Sequence, residues 1–315
     1  MCVTEENRHL VFPGRLPAER LDKALNAAAH FARSRSRAPR DMQFVEGWRK
    51  TIMPADPDGS SPIAMSENRI AVWVAPVEQL VPEFLSRDLL GPEDLLISEQ
   101  IRAAESRNCT VAGRVLLRVG LSHAVGGRIN PRDWRFRTAL NGRPAIAKGW
   151  PQFNFSISHT NTVAVVAISE TLPIGIDVET IEEAPMQDLV TTYCSSDEQL
   201  LFNGASPHQC SREFIRLWTL KEAYAKMVGF GHSRDFASIG VALDSLELSP
   251  DGVNAEDVFN THFETMWVSR GRTLSHVSIA IGFPDSSSRK ASLTVMAMPL
   301  SDSDETVIHV PHLNI

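Results

Sequence analysis

Cysteine is scarce in this sequence, and what there is lies scattered. Cys2, Cys109, Cys194 and Cys210 form no C-x-x-C pair, so neither a disulfide framework nor a zinc site is indicated. No apolar run approaches the ~20 residues needed to cross a bilayer, and the expectation is a protein with no membrane partner. The opening residues, MCVTEENRHL, lack the basic-then-apolar order of a secretory signal, which predicts a cytoplasmic location. Positive charge is in deficit: 31 Lys and Arg stand against 38 Asp and Glu, a net charge of −7. That balance argues against nucleic acid as a partner and requires a local basic pocket for any anionic ligand. Phosphate loops of the forms G-x-x-x-x-G-K and G-x-G-x-x-G are missing, and no repeat or low-complexity tract is visible.

What is present suffices for a sizeable core. The chain has 315 residues, 43% of them hydrophobic, enough for one large or two smaller domains. The first 68 residues differ in texture from the rest, with an Ala-rich candidate helix, ERLDKALNAAAHFARSRSR (19–37), and a polar loop, PADPDGSSP (54–62). The RSRSR run reads either as a solvated face or as a site for an acidic partner. RIAVWVAPV (69–77) reads as the first core strand. A helix is predicted over 98–123, with Arg107, Arg114 and Arg118 within a narrow arc of one face. Such a stripe is either an ordinary wet face or an anion site. WRFRTALNGRPAI (134–146) predicts two strands about a turn at Asn141-Gly142, and NFSISHT (154–160) a short strand ending in a histidine.

Next come VAVVAIS (163–169) and PIGIDVE (173–179), joined by turn chemistry at ETLP and predicted to pair as a hairpin. Alternation along a strand puts Ile174, Ile176 and Val178 on one face and Gly175, Asp177 and Glu179 on the other. Two carboxylates so placed repel each other and are costly to bury alone. Either the face is solvated on an edge strand or a cation resolves the conflict. SREFIRLWTLKEAYAKMVGFG (211–231) is the clearest helix, with Ser211 as cap and Gly229 as stop. One of its stripes carries Phe214, Leu217, Tyr224 and Met227; another carries Trp218, Glu222 and Lys226 at spacings of four. Short strands follow at 237–243, 262–269, 276–283 and 292–300.

Together, GRPAI, FSISHT, IGIDVE and RLWTLKEAYAK resemble, in order and spacing, the motifs of the phosphopantetheinyl transferases, most closely the long, monomeric, surfactin-synthetase-activating type. The likeness runs from about residue 69 to the end. It implies an α/β fold of two similar halves about a pseudo-twofold axis, 69–170 and 171–315, behind an extension of unknown role at 1–68. The active site would lie in the cleft between the halves, holding coenzyme A and Mg²⁺. The implied reaction moves the 4′-phosphopantetheine arm from coenzyme A to a serine of an apo acyl or peptidyl carrier protein, leaving adenosine 3′,5′-bisphosphate.

By the same resemblance, Asp177 and Glu179 match the metal-binding carboxylates. Glu222 matches a third acidic group that serves as ligand, as general base toward the carrier serine, or as the group that polarises a water. Lys226 would reach the pyrophosphate, with Lys221 a further candidate. Arg143 and His159 match positions at the nucleotide end of coenzyme A, with Ser158 beside them, and Trp218 would brace the helix. Long-type enzymes carry a coenzyme A-binding arginine where this chain has Cys109; Arg114 and Arg118 are the candidates to replace it. Two other readings remain: a metal-dependent phosphodiester hydrolase built on the same groups, and a non-catalytic carrier-protein binder. The intact Asp177–Glu179–Glu222 set speaks against the latter, on the premise that only a metal would hold three carboxylates together.

Overall fold

A computed structural model of the chain describes residues 68–81, 89–139, 143–181, 187–229, 236–243, 246–248, 260–270, 273–283, 291–297 and 306–309. Cys2, the segments at 19–37 and 54–62, and the Asn141-Gly142 turn lie outside them. In chain order the elements are β1 (Arg69–Pro76), α1 (Val77–Leu80), α2 (Pro92–Gln100), α3 (Ala104–Ala124), β2 (Phe136–Thr138), β3 (Pro144–Ile146), β4 (Asn154–His159), β5 (Val163–Ser169) and β6 (Ile174–Thr180). Then follow α4 (Gln187–Tyr193), α5 (Ser196–Gln199), α6 (Pro207–Val228), β7 (Val241–Ala242), β8 (Glu247–Leu248), β9 (Asn260–Arg270), β10 (Thr273–Phe283), β11 (Ser292–Ala297) and β12 (Thr306–His309).

Strand alternation builds four layers. On β1, Ile70, Val72 and Val74 join one core, while Ala71, Trp73 and Ala75 join another. The first core lies between two sheets, where it meets Ile174, Ile176 and Val178 of β6 and Val277, Ile279 and Ile281 of β10. The second fills the space under α3, and a third, with Phe214, Leu217, Leu220 and Tyr224, lies between α6 and the outer face of the second sheet. Each element thus buries its apolar face against a neighbour, in the order helix, sheet, sheet, helix. A fully buried Val, Ile or Leu contributes roughly 1.5–3 kcal/mol in such a core.

The two sheets repeat one plan. The first runs β11-β1-β5-β4 and the second contains β6-β10-β9. In both, a strand, a long helix and a hairpin follow one another, and the second hairpin strand pairs antiparallel with the first strand of the unit. The expected α/β fold of two similar halves is therefore present. Its division differs from the expected one at the C-terminus. Residues 292–297 return to the first sheet, where β11 runs parallel to β1, so 171–315 is not one unit.

Three local expectations are corrected. Residues 163–169 and 174–180 do not form a hairpin: β5 pairs with β1 and β4, β6 pairs with β10, and the link between them carries the chain from one sheet to the other. Pairing the two would have removed the faces that now meet between the sheets. The cap of α6 is Ser206, in a reciprocal box with Gln209, five residues before the expected cap; Ser211 is buried inside the helix. The helix stops as predicted at Gly229, whose φ of 89° suits glycine. The expected helix over 98–123 is two elements, broken at Ile101–Ala103, where the backbone is extended at both caps.

Candidate active site

The edges of the two sheets meet where β4 lies beside β6. As an edge strand, β6 has backbone groups that its own sheet leaves unpaired. The Ile176 amide donates to Ser156 Oγ on β4 at 3.1 Å. Two residues on, Ser158 Oγ donates to Asp177 Oδ1 at 2.8 Å. The second face of β6, with Gly175, Asp177 and Glu179, turns toward α6. Gly175 is what lets the helix come so close. A Cβ there would lie 1.9 Å from the Ala223 carbonyl oxygen and 2.5 Å from the Met227 amide nitrogen, distances that no backbone tolerates.

The close approach sets the stripe Trp218–Glu222–Lys226 against the acidic strand. Lys226 Nζ donates to Asp177 Oδ1 at 2.5 Å and to Ser158 Oγ at 3.0 Å. The other oxygen, Asp177 Oδ2, is buried and has no hydrogen-bond partner. Glu179 is pushed up to about 8 from an ordinary 4.5. Burial is the main cause, the Asp177 charge comes next, and Glu222 adds to it; Lys226 and a hydrogen bond with Trp218 oppose the shift. Trp218 therefore does more than brace the helix. Its ring is caged by Tyr193, Phe214 and Phe236, with centroids at 5.0, 6.1 and 5.2 Å, and its polar edge serves Glu179.

The chemistry of these donors suits a divalent cation: hard oxygens, mutual repulsion and an unpartnered buried carboxylate oxygen. Among the described residues, no group of three or more His, Cys, Asp or Glu is gathered as a metal-ligand set. The premise that only a metal could hold these carboxylates together is corrected, because Lys226 is already the counter-ion of Asp177.

Other expected contacts lie elsewhere. Arg118 is fully buried and committed to structure. It pairs with Asp94 at 2.5 Å and Glu93 at 2.8 Å and donates to the carbonyls of Pro131 and Trp134. Arg114 bonds the same Asp94 at 3.0 Å. The two arginines bind α3 to α2, and the coenzyme A role expected of Arg118 is withdrawn on that ground. Cys109, 2% exposed, sits in the core under α3. Lys221 is likewise consumed. Its Nζ donates to Glu198 at 2.5 Å and to the carbonyls of Tyr193 and Phe236. Its ammonium ties α6 to the segments on either side of it.

The nucleotide-end candidates fall in the first half. Arg143 is half-buried at the start of β3, and burial holds its guanidinium below the ordinary arginine value. His159 is exposed at the end of β4, beside Gly113 of α3. Ser158 turns away from His159, toward Asp177 and Lys226. Ser156 was missed in the sequence. The available signal was alternation, which puts Ser156 and Ser158 on one face of β4.

Residues 173–281, which span β6, α6, β9 and β10, match the model of the 4′-phosphopantetheinyl transferase superfamily. Over that segment the chain is similar to that superfamily. The matched segment holds Asp177, Glu179, Glu222 and Lys226 together. Several curated transferases are similar over longer stretches. The 4′-phosphopantetheinyl transferase HetI of Nostoc sp. is 27% identical over 203 residues, covering 62% of this chain and 82% of the relative. A 4′-phosphopantetheinyl transferase of Bacillus subtilis is 31% identical over 153 residues, 47% of this chain and 66% of its own length. The transferase psf-1 of Bacillus pumilus is 29% identical over 176 residues, 56% of this chain and 69% of its own. No helix among the described residues is long and apolar enough to cross a membrane.

Proposed function

We propose that this chain is a phosphopantetheinyl transferase that moves the 4′-phosphopantetheine arm of coenzyme A onto a serine hydroxyl of an apo acyl or peptidyl carrier protein, with Mg²⁺ and with adenosine 3′,5′-bisphosphate as the second product. The observation that carries the reading is the opposition of Asp177 and Glu179 on β6 to the α6 stripe of Trp218, Glu222 and Lys226, at the junction of the two halves. The reaction breaks a pyrophosphate bond and joins an alcohol to phosphorus, so it needs charge neutralisation, alignment and a proton acceptor. Mg²⁺, held by Asp177 and Glu179 with Glu222 nearby, would supply a Lewis acid on the pyrophosphate oxygens.

The chain's own residues supply the rest. Lys226 sits one helical turn from Glu222 and reaches the same anion. Arg143 and His159 grip the 3′-phosphate end from the first half. Glu222 takes the proton of the attacking serine, directly or through a water. The test is incubation with coenzyme A, Mg²⁺ and a panel of apo carriers, read by intact mass. The expected result is a carrier that gains the arm with the native protein and fails to gain it with Asp177→Asn or Glu179→Gln. Coenzyme A cleavage with no carrier modified would favour the hydrolase reading instead.

A further inference from the structure

We propose that Ser156 is a positioning residue that fixes the register of the two halves across the coenzyme A cleft. The inference rests on the transferase reading above. Ser156 is 4% exposed, and its hydroxyl accepts the edge amide of Ile176, the residue just before Asp177. Ser158, on the same face of β4, bonds Asp177 itself. The two serines therefore clip successive residues of β6 to β4, and so join the first sheet to the second at the point where their edges meet.

Coenzyme A must span that joint. The residues proposed for its 3′-phosphate, Arg143 and His159, belong to the first half, and those proposed for its pyrophosphate, Asp177, Glu179 and Lys226, to the second. A ligand held at two ends gains affinity only when both ends fit at once, and that gain depends on the spacing of the two sub-sites. Apolar contact between the sheets does not set this spacing, because it is non-directional. A hydrogen bond from a single backbone amide to a single hydroxyl is directional and sets it. Ser156 touches neither ligand nor metal site; it acts through β6.

Ser156→Ala removes the acceptor while keeping the fold's apolar contacts. Coenzyme A should then bind about ten-fold more weakly, the scale of one lost hydrogen bond with its buried donor left unpaired. Adenosine 3′-monophosphate, which engages the first half alone, should bind the variant and the native protein equally. Titration calorimetry reads both ligands, and steady-state kinetics should show the loss in the KM for coenzyme A, with kcat nearly unchanged. If alanine prevents folding, Ser156→Cys, with only a weak sulfur acceptor, serves in the same comparison. Equal weakening of both ligands, or of neither, overturns the positioning role while leaving the transferase reading in place. Failure of the native protein to bind coenzyme A at all overturns both.

Discussion

At the scale of single residues, the same side-chain type takes opposite roles according to what surrounds it. Lys226 faces Asp177 at the cleft, whereas Lys221, five positions earlier, is sealed against Glu198. Glu179 gives a test of the buried acidic pair. The folded protein keeps its proton up to about pH 8, whereas an unfolded chain loses it near 4.5. The folded state thus binds more protons between those values, so this group's contribution to stability is full below pH 4.5 and is lost as pH rises toward 8. Denaturant unfolding of chelator-treated protein across that range should show Glu179→Gln gaining on the native protein as pH rises; parallel curves would exclude the shift. Asp177→Ala should bring no such gain, since it removes the carboxylate that both Lys226 and Ser158 bond. Arg118→Met should cost about 3 kcal/mol, because it breaks the fully buried ion pair and leaves Asp94 to Arg114 alone. Where it folds, coenzyme A affinity should be unchanged; a loss would return Arg118 to the ligand site. Cys109→Arg should destabilise by about 3 kcal/mol or more, as any unpaired charge does in a core, with no fall in the KM for coenzyme A.

At the scale of elements, the site is a contact between one strand and one helix. The stripe at positions 218, 222 and 226 and the acidic face of 175–179 are both readable as periodicities in the sequence. What makes them meet is the missing side chain of Gly175. Gly175→Ala should push α6 away from β6, lower stability by about 3 kcal/mol, and cost more transfer activity than any apolar truncation on the far side of α6. Melting temperature and carrier modification measured together would check this, and a variant with native activity would show that the helix can withdraw without harm. The cap of α6 at Ser206 shows where element-level reading slipped. Ser211 is as good a capping residue by type, but the reciprocal hydrogen bonds of Ser206 and Gln209 start the helix earlier.

At the scale of the whole molecule, one chain supplies both copies of a strand–helix–hairpin unit and packs their sheets together. The sheet faces that a single unit would leave open are covered within the chain. We expect a monomer by sedimentation at micromolar concentration; a dimer would require a further apolar surface that this packing does not need. Much of this was written in the sequence. The carboxylates on one face of 174–180, the Trp218–Glu222–Lys226 stripe and the stop at Gly229 follow from local periodicity and backbone preference, which act within a few residues. Strand partners do not follow from these. Residues 163–169 and 173–179 read as a hairpin, yet their strands lie in different sheets, because burying both apolar faces outweighs the short link between them. The fates of Arg118, Lys221 and Cys109 were likewise decided only in three dimensions. Whether a buried polar group serves a ligand or the fold depends on partners far off in the chain, such as Asp94 for Arg118 and Glu198 for Lys221, and no local pattern encodes them.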